Sequence, residues 1–164
     1  MRSAKHKTDD CLESFRKFGH NIKTSLQVGN LARVLRYDKK RHVADIQPLA
    51  NFSDGTEAAQ LLDVPVAENC YIIDELLERF KSDLEAVDSN SSIKEHKTTD
   101  FIKHYPKHQL MRKGVPVVYI TLDRDIDNWA GGRNADTFTP NSSRTHDLND
   151  SIIIGVLGGD AING

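Results

Sequence analysis

Apolar residues near the start of the chain recur at helical spacing. Across residues 9–26, Cys11, Leu12, Phe15, Phe18, Ile22 and Leu26 come every three or four positions, which places them on one helix face. Thr8 or Asp9 can cap the start, and Glu13 suits the first turn. Gly19 weakens the middle by about 1 kcal/mol relative to Ala. From Asn30 the period shortens to two. "NLARVLRYD" and "VADIQPLANF" alternate on either side of polar "KKRH", which predicts two antiparallel strands and a tight connection. Leu31, Val34 or Leu35, Val43, Asp45 and Ile46 mark these strands. Pro48 fits a strand end or an edge. "SDGTE" at 53–57 reads as a turn, and "AQLLDVPVAENC" is a third extended stretch whose Pro65 argues for an edge position.

The strongest helical pattern is residues 71–87. Ile72, Ile73, Leu76, Leu77, Phe80, Leu84 and Val87 form one apolar stripe, with charges on the other face. Residues 88–100 read as a solvated linker, and 101–114 is ambiguous because Pro106 opposes a continuous helix. "VPVVYITL" is a buried strand, 135–147 a long polar loop, and "SIIIGVLGG" a last strand. These elements predict an α+β protein: a small five-stranded OB-type β-barrel with an N-terminal helix and a helix inserted between strands 3 and 4. The expected division is a helical arm at 1–27 and a barrel at 28–164, with the insertion at about 71–110.

Composition narrows the class. The chain has 164 residues, suited to one domain of ordinary size. A mean hydropathy of -0.52 and the lack of a long apolar run argue against a membrane anchor. Polar "MRSAKHKTDD" has no apolar core behind it, so no signal peptide is expected. Cys11 and Cys70 lie in different elements and read as buried or idle thiols rather than a disulfide. The net charge is -2, but residues 1–50 hold 11 Lys and Arg against 5 Asp and Glu, whereas residues 51–164 hold 11 against 19. A basic front and an acidic rear suit a chain that meets charged neighbours or copies of itself.

The candidate chemistry centres on "VVYITLDRDIDNWAGG", residues 117–132. Asp123, Asp125 and Asp127 begin like a calcium loop, but the positions that need Gly and a bidentate Glu hold Asn128 and Asn134. The better reading is acids facing water at a strand end, with Ile126 and Trp129 pointing inward. His104 and His108 are four apart, but Pro106 breaks the helix that would bring them together. His42 reads as a turn or surface group. His146 is the stronger candidate, because "RTHDLND" crowds hydrogen-bonding groups before a buried strand. There is no HExxH, GxSxG, P-loop or GxGxxG motif. "GVLGGDAING" is Gly-rich but has no helix after it to receive a phosphate, and it is expected to be a flexible end. No cofactor or metal is implied.

The pairing of "VPVVYITLDRDIDNW" with "RTHDLNDSIIIGVL" resembles the OB-fold base domain of the cell-puncturing spike proteins of contractile-tailed phages. In that family a D-R-x-x-D-x-W element is followed by a variable loop, an R-x-H-D-L-x-D segment and a final apolar strand. The matching residues are Asp123, Arg124, Asp127 and Trp129, then Arg144, His146, Asp147, Leu148 and Asp150. "LARVLRYDKKRHVADIQPL" looks like the family's opening hairpin and "LLDVPV" like its third strand, so the match covers roughly 9–66 and 111–157. In the family a trimeric β-helical needle usually follows the barrel. This chain stops at Gly164, about where the barrel is finished, so a hub part without the needle is expected.

The resemblance implies a non-enzymatic part of a phage tail baseplate hub, at the base of the central spike in the virion. It implies a homotrimer that meets other baseplate and tail-tube proteins. Arg124 is expected to clamp Asp147 or Asp150 bidentately, and Trp129 to cap the open barrel end with its N–H on a loop carbonyl. The helix at 71–87 is a candidate surface for packing copies, and Arg2, Lys5, Lys7, Arg16 and Lys17 of the arm would meet acidic neighbours. Two rivals stand beside this reading. One is an OB binding module for a saccharide or single-stranded nucleic acid, although acids around Trp129 would repel phosphate and nucleic acid is not expected. The other is a small cell-wall hydrolase using Asp125 and Asp127.

Overall fold

Alternation in residues 29–48 builds the centre of the sheet. The computed structural model describes residues 4–52, 55–89 and 99–158. Strand β1 (Gly29–Asp38) pairs antiparallel with β2 (Val43–Pro48) on one side and with β4 (Pro116–Thr121) on the other. Strand β3 (Leu61–Pro65) extends the sheet beyond β2, and β5 (Ser151–Val156) extends it beyond β4. All neighbours are antiparallel, in the order β3-β2-β1-β4-β5. Pro65 is therefore on an edge strand, where its missing N–H leaves no gap in a ladder.

The sheet curls until its two edges meet. Val66, just after β3, forms a parallel bridge with Ile153 of β5. The Ala67 N–H donates to the Ile153 carbonyl at 2.8 Å, and the Asn69 amide donates to the Ile154 carbonyl at 2.9 Å. Ala32, Val34, Ala44, Ile46, Val117, Tyr119 and Ile153 point into the curl and are buried. At two positions the facing does not follow hydrophobicity. Leu31 is 42% exposed and Val43 only half-buried, because the small Ala32 and Ala44 face inward instead. The inside of a tightly curled sheet has little volume, so small residues must alternate with large ones there. Leu35 falls at an irregularity between Val34 and Arg36, which leaves Val34 as the buried member. At Gly29 an added Cβ would lie 3.0 Å from the Tyr119 carbonyl, so a side chain there would require the β1–β4 pairing to give by a few tenths of an ångström.

Helix α1 (Ala4–Ser25) covers the predicted 9–26 nearly to its end and is already helical at Ala4, the first described residue. Helix α2 (Ile72–Ser89) lies between β3 and β4 in the chain, as predicted. None of its residues is buried. Polar and aromatic contacts hold it to the sheet. The Tyr71 ring stacks on His42 with centroids 4.0 Å apart, and Lys39 pairs with Glu78. The Asp74 carboxylate accepts the Leu110 and Met111 N–H groups at 3.0 and 3.2 Å. This anchoring brings Met111, from the ambiguous segment, fully into the core. The predicted linker falls mostly on residues 90–98 and the basic Arg2 on 1–3, outside the described residues, as are Ser53 and Asp54 of the predicted turn. The Gly-rich end expected to be flexible, 155–164, is described only to 158, and its Gly155 and Val156 are paired in β5 instead, because they continue the ladder with β4.

Candidate functional site

The site forms where β4 runs out. After Thr121 the Leu122 N–H donates to the Asp150 carbonyl at 2.8 Å, which ties the strand end to the start of β5. The chain then turns. Asp125 accepts the N–H of Asp127, two residues on, at 2.8 Å, a local bond that short acidic side chains favour in turns. On the other side of the long loop, Asp147 accepts the Asn149 N–H at 2.9 Å and caps a short 3-10 turn, Leu148–Asp150. These two turns bring Asp125 and Asp150 face to face, and both are fully buried.

Arg144 joins them. Its Nε donates to Asp150 Oδ2 at 2.7 Å and its Nη2 to Asp150 Oδ1 at 2.8 Å. The same Nη2 lies 3.1 Å from Asp125 Oδ1 and 2.9 Å from Asp127 Oδ1. Planar, charge-assisted contacts of this kind are about twice as strong as neutral hydrogen bonds. The remaining acceptor capacity of the buried acids is used as well. The Ser142 hydroxyl donates to Asp125 Oδ2 at 2.7 Å, and the Ile126 N–H donates to Asp150 Oδ1 at 3.0 Å. Hydrogen bonding from Ser142, with the Asp127 N–H and the charge of Arg144, holds the Asp125 carboxyl below its ordinary range. Arg144 does the same for Asp150, and the acids in turn push the guanidinium of Arg144 up.

The expected clamp is therefore present with a different arginine. Arg124 is 63% exposed and lies 3.6 Å from its neighbour Asp123, away from Asp147 and Asp150. The reason is steric: Asp125 turns inward, so the side chain before it is directed outward. The expectation that all three acids face water is also overturned, because Asp125 is fully buried. The carboxylates that converge are Asp125, Asp127 and Asp150, with oxygens within 4.8 Å of one another. They are the residues that could hold a cation, and the Arg144 guanidinium already contacts all three. Asp123 goes elsewhere, to His146 Nε2 at 3.2 Å. His146 Nδ1 donates to the Gln27 carbonyl at 3.1 Å, so the loop is also fastened to the end of α1. Trp129 Nε1 donates to the Asn134 carbonyl at 3.2 Å, the expected loop contact.

An open groove of about 1240 Å³ beside this cluster is lined by His42, Glu68, Tyr71, Trp129, Arg133 and Arg144, and Arg133 pairs with Glu68 within it. His42 adopts a left-handed conformation, φ 51°, that aims its ring at Tyr71. Its Nδ1 meets the Tyr37 hydroxyl at 3.3 Å and its Nε2 lies 3.6 Å from Glu75. Burial pushes the Tyr37 phenol up. His42 therefore belongs to an aromatic and polar cluster rather than to a surface turn, and Ser142, a loop residue with no motif around it, is a direct partner of a buried acid. The sequence signal for His42 is a polar turn that follows Tyr37, and nothing local points to Tyr71.

Compared with known proteins, the chain matches no family model and no curated sequence.

Proposed function

We propose that the protein is a structural component of a phage tail baseplate hub, placed at the base of the central cell-puncturing spike. It would act as a symmetric trimeric plug between tail tube and tip, in contact with other baseplate and tail-tube proteins. The reading rests on one observation: Arg144 stitches the Asp125–Asp127 turn to Asp150 before β5. The two sequence segments that resemble the spike-base family are thus one structural unit. Such a unit works by rigidity. Asp125 is buried and held ionised by donors, which suits a clamp and ill suits a general acid, whose carboxyl must be raised toward the working pH.

The finer fold reading is an OB barrel. The order β3-β2-β1-β4-β5, closed by the parallel Val66–Ile153 bridge, with a helix between β3 and β4, supports it. The mass of the purified chain in solution, measured by light scattering, tests the function. Three chains of 18.4 kDa per particle are expected, and a particle that stays monomeric at every concentration rejects the trimeric plug.

A second reading draws on the groove. Trp129 and Tyr71 both line the open groove and offer aromatic surface to a saccharide ring or a base. Titration with wall saccharides and with single-stranded oligonucleotides at low salt distinguishes it, since a hub part with no such role gives no saturable binding.

A further inference from the structure

We infer that α1 of one copy packs against α2 of a second copy, so that the two amphipathic helices form the seam of a head-to-tail ring. This rests on the reading of the chain as a self-assembling hub part and adds which surfaces meet.

Both helices present apolar faces that the described residues leave uncovered. On α1, Leu12, Phe15 and Phe18 are 51%, 69% and 65% exposed. On α2, Ile73, Leu76 and Phe80 are 52%, 48% and 47% exposed. Phe15, Phe18 and Ile22 follow the spacing i, i+3, i+7, and so do Ile73, Leu76 and Phe80. Two stripes of this pitch can interdigitate as ridges and grooves. In proteins most of a helix's stability comes from packing such an apolar face rather than from propensity.

Charge selects the partner. The sequence of α1 carries five Lys and Arg against three Asp and Glu, a net +2. That of α2 carries six Asp and Glu against two Lys and Arg, a net -4. At 3.6 residues per turn, Arg16 and Lys23 flank the α1 stripe while Glu13 lies behind it. Asp83 sits on the α2 stripe, three residues after Phe80 and seven after Leu76. Pairing α1 with α1 would set cations against cations, and α2 with α2 acids against acids. The α1–α2 pairing alone joins opposite charges along an apolar seam. Because the two surfaces differ, the contact is heterologous, and repetition closes a ring.

Light scattering on full-length chains over a concentration series tests the seam. Phe18→Asp and Phe80→Asp should each weaken self-association by at least about 30-fold, the scale of a central interface residue. Arg16→Glu with Lys23→Glu should weaken it by about 10-fold, and adding Asp83→Lys to that chain should restore it to within about 3-fold of wild type. Circular dichroism verifies that the sheet is intact in each variant, and the charge variants decide if an apolar one unfolds. Wild-type mass in Phe80→Asp, or no recovery in the combined chain, overturns the seam while leaving the trimeric hub standing. A wild-type chain that never self-associates overturns both.

Discussion

Arg144 grips Asp150 with two parallel hydrogen bonds, Nε to Oδ2 at 2.7 Å and Nη2 to Oδ1 at 2.8 Å. Asp150 is fully buried and stands at the threshold of β5. Its carbonyl accepts from Leu122, and one carboxylate oxygen accepts from Ile126. A single acid thus fixes the end of β4, the turn after it and the loop arginine. Removing the arginine would leave two buried carboxylates facing each other with no cation between them.

Arg144→Ala should therefore lower the melting midpoint by about 5–10 °C. Arg124→Ala, at a position 63% exposed, should change it by less than about 1 °C. Thermal unfolding followed by circular dichroism measures both. Equal effects from the two substitutions would count against the clamp.

Acid should loosen the same cluster. The folded-state carboxyls of Asp125 and Asp150 are held below their ordinary value, so the unfolded chain binds protons first. Their contribution is present above pH about 4, the unfolded carboxylate value, and is lost as pH falls through the lower folded values. Urea midpoints measured between neutral pH and pH about 2.5 should drop below pH about 4, and less steeply in Arg144→Ala. A parallel drop in both chains would place the acid sensitivity elsewhere.

Met111 is 1% exposed, although it comes from a segment with no clear periodicity. Met111→Ala should cost about 2–4 kcal/mol in urea unfolding. Leu62→Ser, at a site 69% exposed on the edge strand, should stay within about 0.5 kcal/mol. Reversed magnitudes would mean that the end of the insertion does not belong to the core.

His146 fastens the long loop to the end of α1, with Nδ1 on the Gln27 carbonyl at 3.1 Å and Nε2 at 3.2 Å from Asp123. It sits at φ 51°, which Asn tolerates better than most residues. His146→Asn should leave the fold intact but speed amide exchange at residues 27–29 by about 10-fold, the signature of local opening. Unchanged exchange there would show that the arm is held by other contacts.

Much of the architecture is legible in the sequence because it follows from periodicity. Alternation at 30–48, the stripe at 71–87 and the apolar runs at 117–122 and 151–156 each match an element in type and place. Facing is less legible. Leu31 and Val43 are more hydrophobic than Ala32 and Ala44, yet the alanines point inward, because strand curl limits volume and hydrophobicity scales do not encode curl. The resemblance singles out Asp127, Trp129, Arg144, His146 and Asp150, and of these the structure brings Asp127, Arg144 and Asp150 into one cluster. The pairing of Arg144 rather than Arg124 with Asp150 was not legible, since two arginines with similar neighbours differ only in the side of the turn they leave from.

The residue pattern alone determined that this chain makes a helical arm, five short strands and an inserted helix, because backbone hydrogen bonding and apolar spacing act over a few residues. Tertiary structure decided which acids are buried, which arginine meets them, and that Met111 and His42 belong to packed clusters. Those outcomes depend on segments up to tens of residues apart closing on one another, as β4 and β5 do across the long loop, and on the requirement that every buried charge find a partner once water is gone.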